Sequence, residues 1–172
     1  WIVAQIPLGP QVAQDYPEVE AYVRFFNMPR ALYEYEDKEF VEEDFFYADS
    51  ALFDIFTYRV IRGDARRALL EPNKIVLTET VAARYFGDGD PVGRTLTSGN
   101  SAYEVTGVIE DVPSNSHFRF GALASRTNLP EQIGSWGNFG VFTYLLFPEG
   151  LDVKAFEEKM QEREQAYAAQ VS

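Results

Sequence analysis

Residues 75–87 constrain this chain more than any other stretch, because three local signals agree there. Residues 75–77 read as a short strand. Thr78 stands at an N-cap position, where a hydroxyl accepts from the free amides of a first helical turn. Val81, Ala82, Tyr85 and Phe86 supply the apolar stripe of a helix, and Gly87 follows where a left-handed residue ends one. Strand, helix and stop are thus all signalled locally. The Gly-Asp-Gly-Asp-Pro run at 87–91 must then turn, and residues 94–97 and 103–112 read as strands joined across Gly99 and Asn100. A β-rich middle region is the consequence.

The rest of the chain is read from the same patterns. Residues 8–16 fit a short helix closed by Pro17, since proline disfavours helical geometry in the residue before it. In residues 19–26 Val19, Ala21, Val23 and Phe25 alternate with Glu20, Tyr22, Arg24 and Phe26, as in a half-buried strand. Residues 33–47 mix Tyr and Phe with seven carboxylates against the single Lys38, which predicts an exposed acidic strand or hairpin. Ser50 is placed to cap a helix carrying Leu52, Phe53, Ile55 and Phe56, and residues 57–62 read as a strand before a turn at Gly63. Residues 113–138, dense in Pro, Ser, Asn and Gly, predict loops, whereas residues 141–147 are apolar on both faces and predict a central strand. Asp152 then caps a long exposed helix, with Leu151 placed to pack on Phe156 and with Met160 and Tyr167 continuing the apolar face.

Composition bounds the function. At 172 residues, 46% apolar and 15% aromatic, the chain has material for a packed core. Its net charge of −12 repels phosphate backbones and anionic lipid, and no basic patch is set apart in the sequence, so nucleic acid is not an expected partner. With no cysteine there is no disulfide, thiolate metal site or cysteine nucleophile. No uninterrupted apolar run approaches the length of a membrane span.

Sites with chemistry are hard to assemble. His117 is the only histidine, and without a GxSxG elbow it has no serine to activate. It reads as a loop residue anchored by a hydrogen bond rather than a base. The run at 88–93 fails the EF-hand pattern and reads as a solvated turn. Glu20, Glu104 and Glu110 lie on predicted strands beside aromatics, where a one-sided sheet puts such acids in water. No GxGxxG or GxxxxGK[ST] phosphate cradle occurs. The expectation is therefore no catalytic, cofactor or metal site. Tyr33, Tyr35 and Phe40, in the aromatic and acidic run, remain open as a partner or ligand surface against the commoner reading of aromatic core.

Longer strings carry more information. PNKIVLTETVAARYFGDGDPVGRTL at 72–96 and YEVTGVIEDVPSNSHFRF at 103–120 resemble the periplasmic core domain of MacB/FtsX-like ABC transporter permeases, closest to the Bacteroidetes-type branch. The resemblance runs upstream through YPEVEAYVRFF (16–26) and FFYADSALFDIFTYRVIRGDARRAL (45–69), and downstream through FTYLLFPEG (142–150). Residues 27–44 and 124–138 do not follow it, and little is left of the usual strand before the first helix.

The resemblance implies an α+β fold of two lobes. A βαβ-type α/β lobe would come from both chain ends, 1–62 with 139–172, and a β-rich lobe, 63–138, would be inserted between them. It implies a non-catalytic domain lying between the first membrane helix and three later ones of an inner-membrane permease, exposed to the periplasm. ATP-driven motion would reach the domain from a cytoplasmic ABC ATPase subunit. A second permease copy and a periplasmic adaptor or lipoprotein complete the implied partners. Within it Gly87, Asp90, Pro91, Gly93 and Gly107 act as scaffold: a helix stop, a turn, a re-entry into strand, and a bulge or close approach. The alternative is an extracytoplasmic ligand-sensing module, which requires a cleft lined by Tyr33, Tyr35 and Phe40.

Overall fold

A computed structural model describes residues 4–116, 118–129 and 139–168, with the backbone alone at residues 139, 162 and 164–168. Two compact units divide the chain: residues 1–24 with 131–172, and residues 25–130.

The first unit is built from both chain ends. Strand β1 (Ala4–Gln5) leads into helix α1 (Leu8–Asp15), and β2 (Ala21–Asn27) begins in this unit. Strand β11 (Phe139–Leu146) arrives from the far end of the sequence and lies between β1 and β2, antiparallel to β1. The β1–α1–β2 run is thereby split by a strand more than a hundred residues away, which accounts for the apolar character of β11. Helix α5 (Val153–Ala168) follows. Asp152 Oδ1 accepts from the amide of Ala155, as its capping position predicts, and Leu151 packs with Phe156 in a cluster formed by Val12, Tyr16, Val19 and Phe156. Tyr16 and Phe156 meet edge to face at 5.2 Å. Gly9 lets α1 lie close on the strands, since a Cβ there would stand 2.9 Å from Thr143 Cγ2.

The second unit starts partway along β2. Phe25, Phe26 and Asn27 pair with β5 (Phe45–Ala48), and from β5 the strand order continues through β10 (Ala122–Ser125), β7 (Lys74–Thr78), β9 (Ser101–Ile109), β8 (Thr95–Ser98), β3 (Ala31–Tyr35) and β4 (Lys38–Glu42). Strand β6 (Val60–Gly63) pairs with β9. The pairs β5/β10 and β7/β9 are parallel, and helix α4 (Glu79–Phe86) provides the crossover that parallel pairing of β7 and β9 requires. Short helices α2 (Leu52–Ile55) and α3 (Arg67–Leu70) complete the unit. The division therefore falls inside β2 rather than at residue 62, because β2's end, β5 and β6 take their ladder partners from the middle of the chain.

Several local expectations change, first that residues 122–125, expected among loops, form the buried strand β10 between β5 and β7. In β2 Val23, Arg24, Phe25 and Phe26 are all buried, so alternation gives way to cover on both faces. Arg24 is tolerated because its guanidinium donates to the Ile6 carbonyl at 2.9 Å. Residues 33–47 do contain a hairpin, β3–β4, yet β5 within them is wholly buried between two neighbours. Ser50 does not cap α2: a turn from Asp49 O to Leu52 N encloses it, and Ala51 takes the cap position. Tyr167's side chain and His117 lie outside the described residues.

Candidate functional site

The turn residues singled out in the sequence sit at one end of α4. Gly87 closes the helix at φ +59, its amide donating to Ala83 O at 2.8 Å. Asp90 Oδ1 accepts from Val92 N at 3.1 Å, with Pro91 between them, and Gly93, at φ +82, donates to Val105 O as the chain turns back toward β8. This is a folded connection whose polar groups serve its own backbone. Gly107 lies elsewhere. It follows a one-residue shift in the β7/β9 register, where Val105 faces Ile75 and Gly107 faces Val76, so Thr106 is extra. A Cβ on Gly107 would come 2.8 Å from Ala65 N and 3.0 Å from Ala65 Cα. Bulge and close backbone approach therefore coincide there.

Tyr33, Tyr35 and Phe40 form no open cleft. They share the face of the hairpin that packs on α4: Phe40 meets Tyr85 edge to face at 5.1 Å, and Tyr35 meets Phe86 at 4.4 Å. Tyr33 is 3% exposed and packs on Phe45 at 4.7 Å. The surface reading of this trio is corrected: strand alternation turns it inward and leaves Leu32, Glu34, Glu39 and Val41 outward.

The seam between this hairpin and α4 holds the most concentrated electrostatics of the unit. Glu42, 3% exposed, accepts from Arg84 Nη1 at 2.7 and 2.9 Å and from the Tyr85 hydroxyl at 2.9 Å. Lys38 Nζ donates to the Tyr85 carbonyl at 2.6 Å. Burial, then the hydrogen bond to Glu42, pushes the Tyr85 phenol far above its ordinary value. Burial likewise raises Tyr33, with neighbouring Tyr103 and Glu42 adding to it. Tyr47, bonded to Tyr103 hydroxyl to hydroxyl at 2.8 Å, is raised by burial and by that bond.

The other end of α4 is held from a distance. Thr78 makes no side-chain cap; instead Asp111, just beyond β9, accepts from Thr80 N at 3.0 Å and Thr80 Oγ1 at 2.6 Å. Burial pushes the Asp111 carboxyl up, and the Thr80 and Thr78 hydrogen bonds outweigh it and hold it below the ordinary range. Sequence reasoning missed Glu42, Arg84 and Asp111. Glu42 was one acid among seven, and nothing local marks a residue that caps a helix 31 positions away.

Fold and packing together define a mixed α+β scaffold domain, its aromatic and ionic side chains engaged in fixing helix to sheet. The chain belongs to the family described as MacB-like periplasmic core domain, which matches residues 4–163. It is accordingly a periplasmic domain of a MacB-like ABC transporter permease, a non-catalytic class. Solved structures share the fold, among them these three. A domain of a proposed permease from Porphyromonas gingivalis is 23% identical with a TM-score of 0.82, covering 97% of this chain and 79% of that one. The periplasmic region of MacB from Actinobacillus actinomycetemcomitans is 13% identical with a TM-score of 0.74, covering 96% and 75%. The extracellular domain of the noncanonic ABC-type transporter YknZ from Gram-positive bacteria is 13% identical with a TM-score of 0.67, covering 89% and 78%. No curated protein sequence matches this chain significantly. Among the described residues no helix is long and apolar enough to cross a membrane.

Proposed function

We propose that this domain transmits ATP-driven conformational change from an inner-membrane permease to a substrate handled outside that membrane. The observation that carries the reading is the family match over residues 4–163. In this reading a cytoplasmic ABC ATPase supplies the motion and a second permease copy supplies the opposing domain. A periplasmic adaptor or lipoprotein receives the result. A domain that passes on displacement must not absorb it, and packed cores have low compressibility. The second unit suits that demand, because the Glu42 seam ties the hairpin to α4 and the Asp111 cap ties α4 to the end of β9. Gly107 and Gly87–Gly93 then serve as backbone fittings of a stiff body.

The absence of cysteine here makes a clean test available. In the full-length permease with its ATPase in lipid, and with cysteines elsewhere replaced, Asp88→Cys places one spin label on each copy. Asp88→Cys with Glu39→Cys places a pair within one copy. Pulsed dipolar distances should change between nucleotide-free and ATP-trapped states for the first arrangement and stay fixed for the second. Between-copy distances that ignore nucleotide would overturn the proposal, as would a within-copy distance that moves as much as the between-copy one.

A further inference from the structure

Strand β6 is built in a way that its structural role does not require. Val60 pairs with Ile109 and Arg62 with Val108, so Ile61 is an extra residue in the ladder. Such a bulge re-aims a side chain that plain alternation would send to the opposite face. Here Ile61 and Arg62 both line a groove of about 200 Å³ beside α4, together with Glu79, Ala82, Pro91 and Val108. Gly63 follows at φ +68, where a Cβ would stand 2.3 Å from Thr106 O, so the backbone geometry is fixed immediately after Arg62. Among the described residues β6 pairs with β9 alone, which leaves its outer edge free. Val60 is 44% exposed on that strand. Arg66, Arg67 and Lys74, close by in sequence, pair with Asp54, Glu71 and Glu104. The exposed side chains of Arg59 and Arg62 meet no carboxylate among the described residues.

We propose that β6 and its groove bind an extended, acidic segment of a partner protein. The segment's backbone adds to the free edge of β6, one apolar side chain enters the groove, and carboxylates pair with Arg59 and Arg62. Main-chain bonds supply affinity in this mode and the side-chain pocket supplies selectivity. Charge complementarity chooses the occupant. In a chain of net charge −12, two exposed arginines three residues apart, with no carboxylate partner among the described residues, select carboxylates. At physiological salt the overall negative charge is screened beyond about 8 Å, so the local pair governs. A second copy joined edge to edge through β6 would bring like arginines together. Bulges and charges also blunt sheet edges against self-association; that role leaves both arginines in water and predicts no ligand.

The probe is a fluorescein-labelled, terminally blocked octapeptide of alternating valine and glutamate, with a valine–lysine counterpart. Anisotropy with the whole chain should show saturable binding of the glutamate peptide only, and amide shifts should centre on β6 and the groove. Arg62→Glu should weaken it about tenfold or more and give measurable binding of the lysine peptide. Both side chains are exposed, so Arg59→Glu and Arg62→Glu should remain folded, which circular dichroism checks. The proposal is overturned by absence of saturable binding, by shifts centred elsewhere, or by affinity unchanged in both variants. Anionic vesicles that bind through these arginines while the peptide does not would assign the edge to a membrane surface and overturn it as well.

Discussion

Glu42 is the residue whose environment does most to decide what a substitution costs. Its carboxylate is 3% exposed and shared between Arg84 and Tyr85, whereas the Arg84 side chain is 35% exposed. Removing the arginine leaves a buried anion with one donor, and removing both charges leaves mainly a phenol without its acceptor. Arg84→Met should therefore destabilise by about 2 kcal/mol, and Glu42→Leu added to it should recover part of that loss. Denaturant titration of the two single variants and the double variant measures the coupling. Additive costs would show that Glu42 is solvated. Glycines offer a sharper contrast. Gly107→Ala pushes a methyl into backbone at 2.8–3.0 Å and should cost about 2 kcal/mol or more. Gly93→Ala faces open space and should cost only the price of its φ of +82, about 1 kcal/mol. Equal melting points for these two variants would contradict the close approach of Ala65 to β9.

At the scale of elements, α4 is held at its N-terminus by Asp111, and the sign of that linkage follows from the carboxyl. Its pKa in the folded chain is held below the ordinary aspartate value. The contribution is complete above that ordinary value and is lost as pH falls through the lower, folded one. Asp111→Ala should cost about 1 kcal/mol at neutral pH. Asp111→Asn, which can still accept a hydrogen bond, should show a smaller fall in melting temperature between pH 7 and pH 3 than the parent chain. Parallel pH profiles would remove Asp111 from the cap. The β3–β4 hairpin makes a second case, because Glu34 and Glu39 stand directly opposite on its outer face. Like charges in that position are unfavourable, so Glu39→Lys should stabilise by a few tenths of a kcal/mol. These elements also show what the sequence makes legible. β7, α4 and the Gly87 stop are written in adjacent residues, and so are the Asp152 cap and the Leu151 staple of α5. The burial of β5 and the inward turn of Tyr33 depend on strands that arrive from elsewhere in the chain. Periodicity within residues 33–47 carries no sign of those neighbours. The same holds for the bulge in β6, which is a property of its register against β9 rather than of the string around Ile61.

Across the molecule, the second unit concentrates phenols in its interior, and that gives a readout of its integrity. Tyr33, Tyr47 and Tyr85 are held well above the ordinary tyrosine value, in each case first by burial. The folded state therefore keeps these groups neutral where the unfolded chain would ionise them. Their contribution to stability is fully present below pH 10 and erodes as pH rises beyond it, because the unfolded chain alone gains from losing the protons. Tyrosinate absorbance during alkaline titration should consequently show two stages. Exposed phenols should titrate near their ordinary value while circular dichroism is unchanged. A steep second stage should follow at higher pH, together with loss of the circular dichroism signal, as the interior phenols ionise through unfolding. Tyr47→Phe should reduce the amplitude of that second stage and leave the first intact, since its hydroxyl is buried against Tyr103. A single smooth titration of all 10 tyrosines with the fold retained would show that these hydroxyls reach solvent. The hairpin, α4 and the strands beneath them would then not be the stiff body on which the proposed transmission of motion depends.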